Sequence, residues 1–430
     1  MRAHIALAVV AVLVAGACSG KRAPTPTSFF ADHFASYWIP CSKGEPCALP
    51  DDKRAGLSPA LLERVLAVGA AYPDRAAVTA ASAQLDEALA AAAVPVLIDV
   101  QPWQDTTLLL AYELVAKRVW RHGDKALPVV RVHRLDHTNI EPAWLGHAGR
   151  AAPLVLLDKL EIELLDNLRN QRATDGNVVD AAVRKSWRAL AERAIGTAVL
   201  TGAIDALAQR DELHKKLEDS FQSKRVHVPY PERLLLGEDY FERLSPYADP
   251  QRSGGPLFMR TDLKALRAAD RALGEDAVLQ ALHKLRDLEA SATEAHEVHH
   301  AVHGTLDPAA VPADVMEALG DDDLQFGVST DGELRAYLGE LHDAEAPPCL
   351  ALGRLARILA GARSPRTPHH YAARVAFKHL HGGEWLTSAA AVAGAVEQLC
   401  ALDDAALRKK AADAWTAIYR EPMPAIARAP

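Results

Sequence analysis

Residues 293–304 read TEAHEVHHAVHG, with four histidines and two glutamates in twelve positions. The stretch closes a longer run in which Leu285, Leu288, Ala292, Ala295 and Val302 recur at helical spacing, and Gly304 stands where a helix C-cap belongs. A helix is therefore predicted over 275–303. Within it, His296-Glu297-Val298-His299-His300 fits H-E-x-x-H. Residues four apart on a helix differ by about 40° around its axis and stand one turn apart, so two imidazoles converge on one ion. Glu297 projects about 100° further round than His296, beside the ion but off the ligand line. There a carboxylate can take a proton from water whose pKa the ion lowers to about 7. His296 and His300 flank the apolar stripe. His299 lies on it and His303 near the ligand line, and both read as packing or supporting residues. The competing reading is a solvated His-rich last turn, where the helix dipole favours imidazolium.

This spacing resembles that of the zincin metallopeptidases, and the branch depends on a third ligand. The metzincin pattern needs Gly three residues after the second His and a further His three later; this chain has His303 and Leu306. An Asp-ligand branch would turn to Asp307, whose spacing does not match. A gluzincin-like branch takes a Glu from a following helix. STDGELRAYLGELHD (329–343) offers it, with Ser329, Thr330 or Asp331 as N-caps. Glu333, Ala336, Tyr337 and Glu340 share one face, where a carboxylate is costly without a cation. The resemblance thus implies Zn2+ held by His296, His300 and Glu333, with Glu340 as the alternative third ligand and Glu297 as general base. Glu333 reads equally as a first-turn carboxylate favoured by the helix dipole. The resemblance also implies a donor to the oxyanion. TPHHYAARVAFKHLHGG (367–383) clusters His369, His370, Tyr371 and Arg374 at a helix start, and Tyr371 or His370 is the expected donor. An exposed helix N-terminus is the alternative there, and Tyr337 lies nearer in sequence. The resemblance covers the two helices of roughly 285–343.

Further out, the chain begins MRAHIALAVVAVLVAGACSG. Arg2 and the apolar run from Ile5 to Ala17 have the make-up of a signal peptide over 1–17. Ala15-Gly16-Ala17 before Cys18 resembles a bacterial lipobox. That resemblance implies Cys18 as a lipidated N-terminus in the cell envelope, with Ser19 favouring the outer membrane. Ordinary cleavage after Ala17 is the other reading. Cys41, Cys47, Cys349 and Cys400 remain, an even number suited to an oxidising compartment. The most economical of their three pairings joins Cys41 to Cys47 and Cys349 to Cys400. No C-x-x-C pair is present, which argues against a cysteine zinc or redox site.

With 49% hydrophobic and 24% charged residues and a formal charge of −8, the chain is globular, and no basic stripe points to nucleic acid. No later apolar run reaches spanning length, so the lipid alone would tie it to a membrane. Residues 18–57 are expected to be a polar tether with a Cys41/Cys47 loop, and 58–225 an α/β region. In that region strands are predicted at 94–100, 127–135 and 152–158, with an Asp105-capped helix over 106–123 between the first two. The long Pro/Gly/aromatic segment 226–256 suits a binding or lid element. Residues 226–430 are otherwise helical. The expected fold is mainly α (α+β), with a small N-terminal sheet followed by a helical metal-site region of zincin type. His133 and His137, with Asp136 beside the latter, read better as a polar loop than as a second site. No phosphate-binding loop follows a strand and no GxSxG elbow is present.

The expected activity is zinc-dependent hydrolysis of a peptide or protein substrate. A metal-dependent hydrolase of cell-wall or other non-peptide amides would use the same constellation. A non-catalytic helical envelope lipoprotein, serving as scaffold or binding module, is the reading in which the motif is incidental.

Overall fold

A computed structural model describes residues 24–429 apart from 104–105, 136–145, 149–151, 175, 224–225, 227, 229, 253–254, 305–306, 321–323 and 362–365. The predicted signal peptide and lipidation site Cys18, as well as Asp105, Asp136 and His137, lie outside the described residues.

Two helices stand where part of a tether was expected: α1 (Pro26–Asp32), capped by Thr25, and α2 (Phe34–Ser42). Phe29, Phe30, Phe34, Tyr37 and Trp38 are all buried. Burying each such side chain contributes about 1.5–3 kcal/mol, so the apolar residues outweigh the Pro/Thr start of the segment. With α3 (Pro59–Ala70, capped by Ser58) and α4 (Arg75–Ala91), these helices cover one face of the sheet.

Among the described residues the sheet has six strands: β1 (Val96–Trp103), β2 (Thr106–His122), β3 (Lys125–Arg134), β4 (Gly146–Ala148), β5 (Pro153–Leu156) and β6 (Ile426–Arg428). The order is β1-β2-β3-β5-β4, with only the β3–β5 pair parallel, and β6 joins β2 beyond the end of β1. The helix expected over 106–123 is therefore strand β2. Leu108–Tyr112 are buried without alternation, because the strand is covered on both faces, and a continuous apolar run of that kind looks alike in a strand and a buried helix. Gly123, expected as a helix stop, is instead the first residue of a two-residue hairpin. His122 pairs with Lys125, and Gly123 takes a φ of +56°, as a II′ turn requires at that position. The three predicted strands are present as β1, β3 and β5.

Helices α5 (Leu157–Asn170), α6 (Val178–Ile195) and α7 (Thr197–Gln222) follow, and α5 and α6 part at the predicted break. Segment 226–256 contains the short α8 (Glu238–Leu244). It packs through Leu236, Tyr240, Phe241 and Leu244 on α7 and on α9 (Arg260–Leu273). Arg210, fully buried, fastens it by donating to Leu234 O at 2.6 Å and to Asp270 Oδ1 at 3.2 Å.

The long α10 (Asp276–His303) runs along the other face of the sheet. Its Ala290, Ala295 and Val298 pack on Trp120, Val129 and Val155. Around its far side lie α11 (Ala313–Leu319), α12 (Leu324–His342), α13 (Pro348–Ala360), α14 (Pro368–Leu380), α15 (Ala389–Cys400) and α16 (Asp404–Tyr419). The fold is mainly α with a small sheet. Both expected cysteine pairs are joined, with Cα–Cα distances of 5.1 Å for Cys41–Cys47 and 5.6 Å for Cys349–Cys400. Among the described residues no helix is long and apolar enough to cross a membrane.

Helix α12 begins earlier than expected, so Ser329, Thr330 and Asp331 are interior residues and not N-caps. Thr330 and Asp331 are buried, and Asp331 accepts from Tyr419 OH at 2.7 Å and Arg335 Nε at 3.1 Å. Gly339 sets how closely α10 and α12 approach, since a Cβ there would lie 2.1 Å from His299 Cδ2.

Candidate metal centre

The close crossing of α10 and α12 carries the site. His296 and His300 stand one turn apart on α10, and their Nε2 atoms are 3.1 Å from each other. Glu333 reaches in from α12, with Oε2 3.4 Å from His296 Nε2 and 3.6 Å from His300 Nε2. Among the described residues these three form the one His/Cys/Asp/Glu group whose ligand atoms all lie within 4.8 Å of one another. Donors at 2.0–2.1 Å from a tetrahedrally surrounded zinc stand about 3.3 Å apart. The three observed separations bracket that value, so the residues fit such an ion.

Glu340, the alternative ligand, lies on the other side of His296. It is fully buried, and its Oε2 is 3.4 Å from Nδ1 and not beside Nε2. It therefore supports the imidazole from behind, while Glu333 meets the two converging nitrogens. Glu297 is buried next to His296. The His296 ring packs edge-on against Tyr337 at 4.7 Å, and Tyr337 OH lies 3.0 Å from His369 Nδ1. His369 Nδ1 is also 3.0 Å from Glu333 Oε2.

The donor expected at Tyr371 or His370 thus has different occupants. Tyr371 packs edge-on against Phe326 in the helical core. The His370 ring packs edge-on against Tyr371 at 5.6 Å. Arg374 lies over Trp385 and donates to Ala318 O at 3.3 Å. At the first turn of α14, a shift of one residue rotates the side chain by about 100°, so His369 faces the cluster and its neighbours do not. His369 was legible as a member of the 367–383 cluster, but the phase of its helix against α12 was not.

Electrostatics favour a cation at this point. Burial alone would lower the pKa of His296, but Glu333, Glu340 and Glu297 outweigh it and raise it to about 10. Burial likewise opposes charge on Glu333. The imidazoles of His296, His300 and His369 that face it nevertheless hold it far below the usual carboxylate range. Burial, reinforced by Glu333 and Glu340, pushes Tyr337 well above the normal phenol value, so it stays a protonated donor.

The other two histidines of the motif behave differently. His299 is 5% exposed and lies between α12 and Trp415, and His303 lies against the Trp415 ring at 5.4 Å. Burial, with neighbouring positive groups, lowers them from 6.5 to about 3 and about 4 respectively. Both are neutral when folded and take up protons below pH 6.5 when unfolded, so unfolding is favoured as protons are added. Their contribution to stability is complete above pH 6.5 and is lost progressively as the pH falls toward 4 and then 3. The urea midpoint should drop between pH 7 and pH 5, and His303→Gln should shrink that drop. An equal drop in the variant would show that His303 is not among the groups responsible.

No family model, curated protein or solved structure matches the chain.

Proposed function

We propose that the chain is a zinc-dependent hydrolase of peptide bonds, with His296, His300 and Glu333 as metal ligands. The observation that carries this reading is the triangle of 3.1, 3.4 and 3.6 Å between the three donor atoms. A zinc ion in such a site supplies a Lewis acid that polarises a carbonyl and lowers the pKa of a bound water to about 7. Glu297 is the group beside His296 suited to accept the proton of that water and then deliver it to the leaving amine. Tyr337 and the half-exposed His369 are the donors near enough to steady negative charge developing on the carbonyl oxygen.

Zinc titration tests the ligand set. The purified wild-type chain should bind close to one zinc, and His296→Ala should lose that binding, since a single imidazole with a carboxylate makes a poor site. Wild-type protein that takes up no zinc under metal-replete conditions would overturn the proposal.

For location we propose lipid anchorage in a bacterial envelope through Cys18. The two joined cysteine pairs support an oxidising compartment. Expressed with its leader, the protein should fractionate with membranes and Cys18→Ser should release it. Retention of the variant on membranes would contradict the anchor.

A further inference from the structure

Behind His296, away from the nitrogen that faces His300, three helices bring charged groups together. The Glu340 carboxylate of α12 is divided between two partners: Oε2 lies 3.4 Å from His296 Nδ1, and Oε1 lies 2.6 Å from Arg354 Nη2 of α13. Arg354 Nη2 also stands 3.8 Å from Glu289 Oε2, and Nη1 lies 3.4 Å from Thr293 Oγ1. Glu289, Thr293 and His296 follow one another at i, i+4 and i+7 on one face of α10. The guanidinium therefore ties α13 to the same stripe of α10 that presents the ligand.

We propose that Arg354 is a positioning residue for the metal centre, acting through Glu340 on His296; this rests on the metal reading above. A glutamate side chain alone has several rotamers, and only one sets Oε2 against His296 Nδ1. Arg354 favours that rotamer through its ion pair at 2.6 Å with the other oxygen. With the Glu340 carboxylate 3.4 Å from Nδ1, the proton of His296 is favoured on that nitrogen and the lone pair of Nε2 is left for the ion, which sets both tautomer and ring orientation. Arginine suits the task because Nη2 faces both carboxylates while Nη1 of the same planar fork reaches Thr293, whereas a lysine is a single point charge. Helix α13 is itself anchored near its start by the Cys349–Cys400 link to α15. Without Arg354, the buried carboxylates of Glu340 and Glu289 lose the cation between them, and Glu340 has no reason to keep its geometry.

The test is a double-mutant cycle read by zinc affinity, measured in competition with a chromophoric chelator. Arg354→Met and Glu340→Gln should each weaken zinc by about 10–100-fold, the usual effect of losing a partner behind a ligand. The double variant should bind no more weakly than Glu340→Gln alone, because Arg354 acts only through Glu340. Cobalt(II) placed in Arg354→Met should show altered visible absorption bands, and Arg354→Lys should recover part of the affinity. Where Arg354→Met does not fold, Arg354→Lys enters the cycle in its place with a smaller loss and the same non-additivity. Losses that multiply in the double variant, or wild-type zinc affinity in the Arg354 variants, overturn the assignment while leaving the metal site standing. A wild-type chain that binds no zinc removes the metal reading and this inference with it.

Discussion

Glu297→Gln should keep zinc at the wild-type level and lose about 10²–10⁴-fold in peptide hydrolysis, the range expected when a general acid–base group is removed. The substitution keeps size and hydrogen-bonding capacity but takes away the site that accepts a proton. His296, His300 and Glu333 are untouched, so the metal content separates this variant from His296→Ala, which should lose zinc and activity together. Steady-state turnover of a mixed peptide substrate, measured beside zinc analysis of the same sample, checks the claim. Undiminished hydrolysis in Glu297→Gln would remove Glu297 from the chemistry. It would also favour the reading in which the motif belongs to a non-catalytic helix.

Arg131→Met should destabilise the fold by about 3–5 kcal/mol, because it strips a buried carboxylate of its main partner. Glu294 lies on α10 two residues before His296 and is fully buried. Arg131 of β3, itself 3% exposed, donates its Nε to Glu294 and reaches Asp287 at 3.3 Å and Ser291 Oγ at 3.4 Å. Arg428 of β6 adds a contact of 3.1 Å to Glu294, and Arg118 of β2 one of 3.7 Å. Three strands thus hold one helical carboxylate, and the helix that carries H-E-x-x-H is pinned to the sheet at that point. Removing Arg131 leaves the two outer arginines, which places the loss nearer the lower figure. Arg131→Met with Glu294→Leu should recover most of it, since apolar replacement of both partners removes the unpaired charge. Urea denaturation of the two variants decides the matter. A single variant as stable as wild type would mean that Arg118 and Arg428 alone satisfy Glu294.

The site was legible in the sequence where helix periodicity governs it. His296, Glu297 and His300 needed only the 3.6-residue turn, and Glu333 needed only a second helix with its acidic residues on one face. The order of Glu333 before Glu340 came from the resemblance, and the sequence did not show the depth at which the helices cross, which Gly339 sets by letting His299 nest against its bare Cα. His369 and Arg354 depend on how α14 and α13 are rotated against α12, and no pattern within those helices records it. In the sheet, β1, β3 and β5 announced themselves by β-branched runs between turns. Strand β2 did not, because burial on both faces removed the alternation that would have marked it. The aromatic series Phe29, Phe30, Phe34, Tyr37 and Trp38 was visible beside the Pro/Thr stretch, and the gain from burying it outweighed the tether-like composition.

X-ray absorption on the zinc-loaded chain tests the central claim most directly. Two imidazoles and a carboxylate predict nitrogen and oxygen scatterers at about 2.0–2.2 Å, with the outer-shell pattern of two histidines and no sulfur. His300→Ala, which leaves one imidazole and one carboxylate, should take up little zinc and lose the two-histidine pattern from the spectrum. A sulfur shell near about 2.3 Å, or a zinc environment unchanged by that substitution, would place the metal elsewhere and contradict the account.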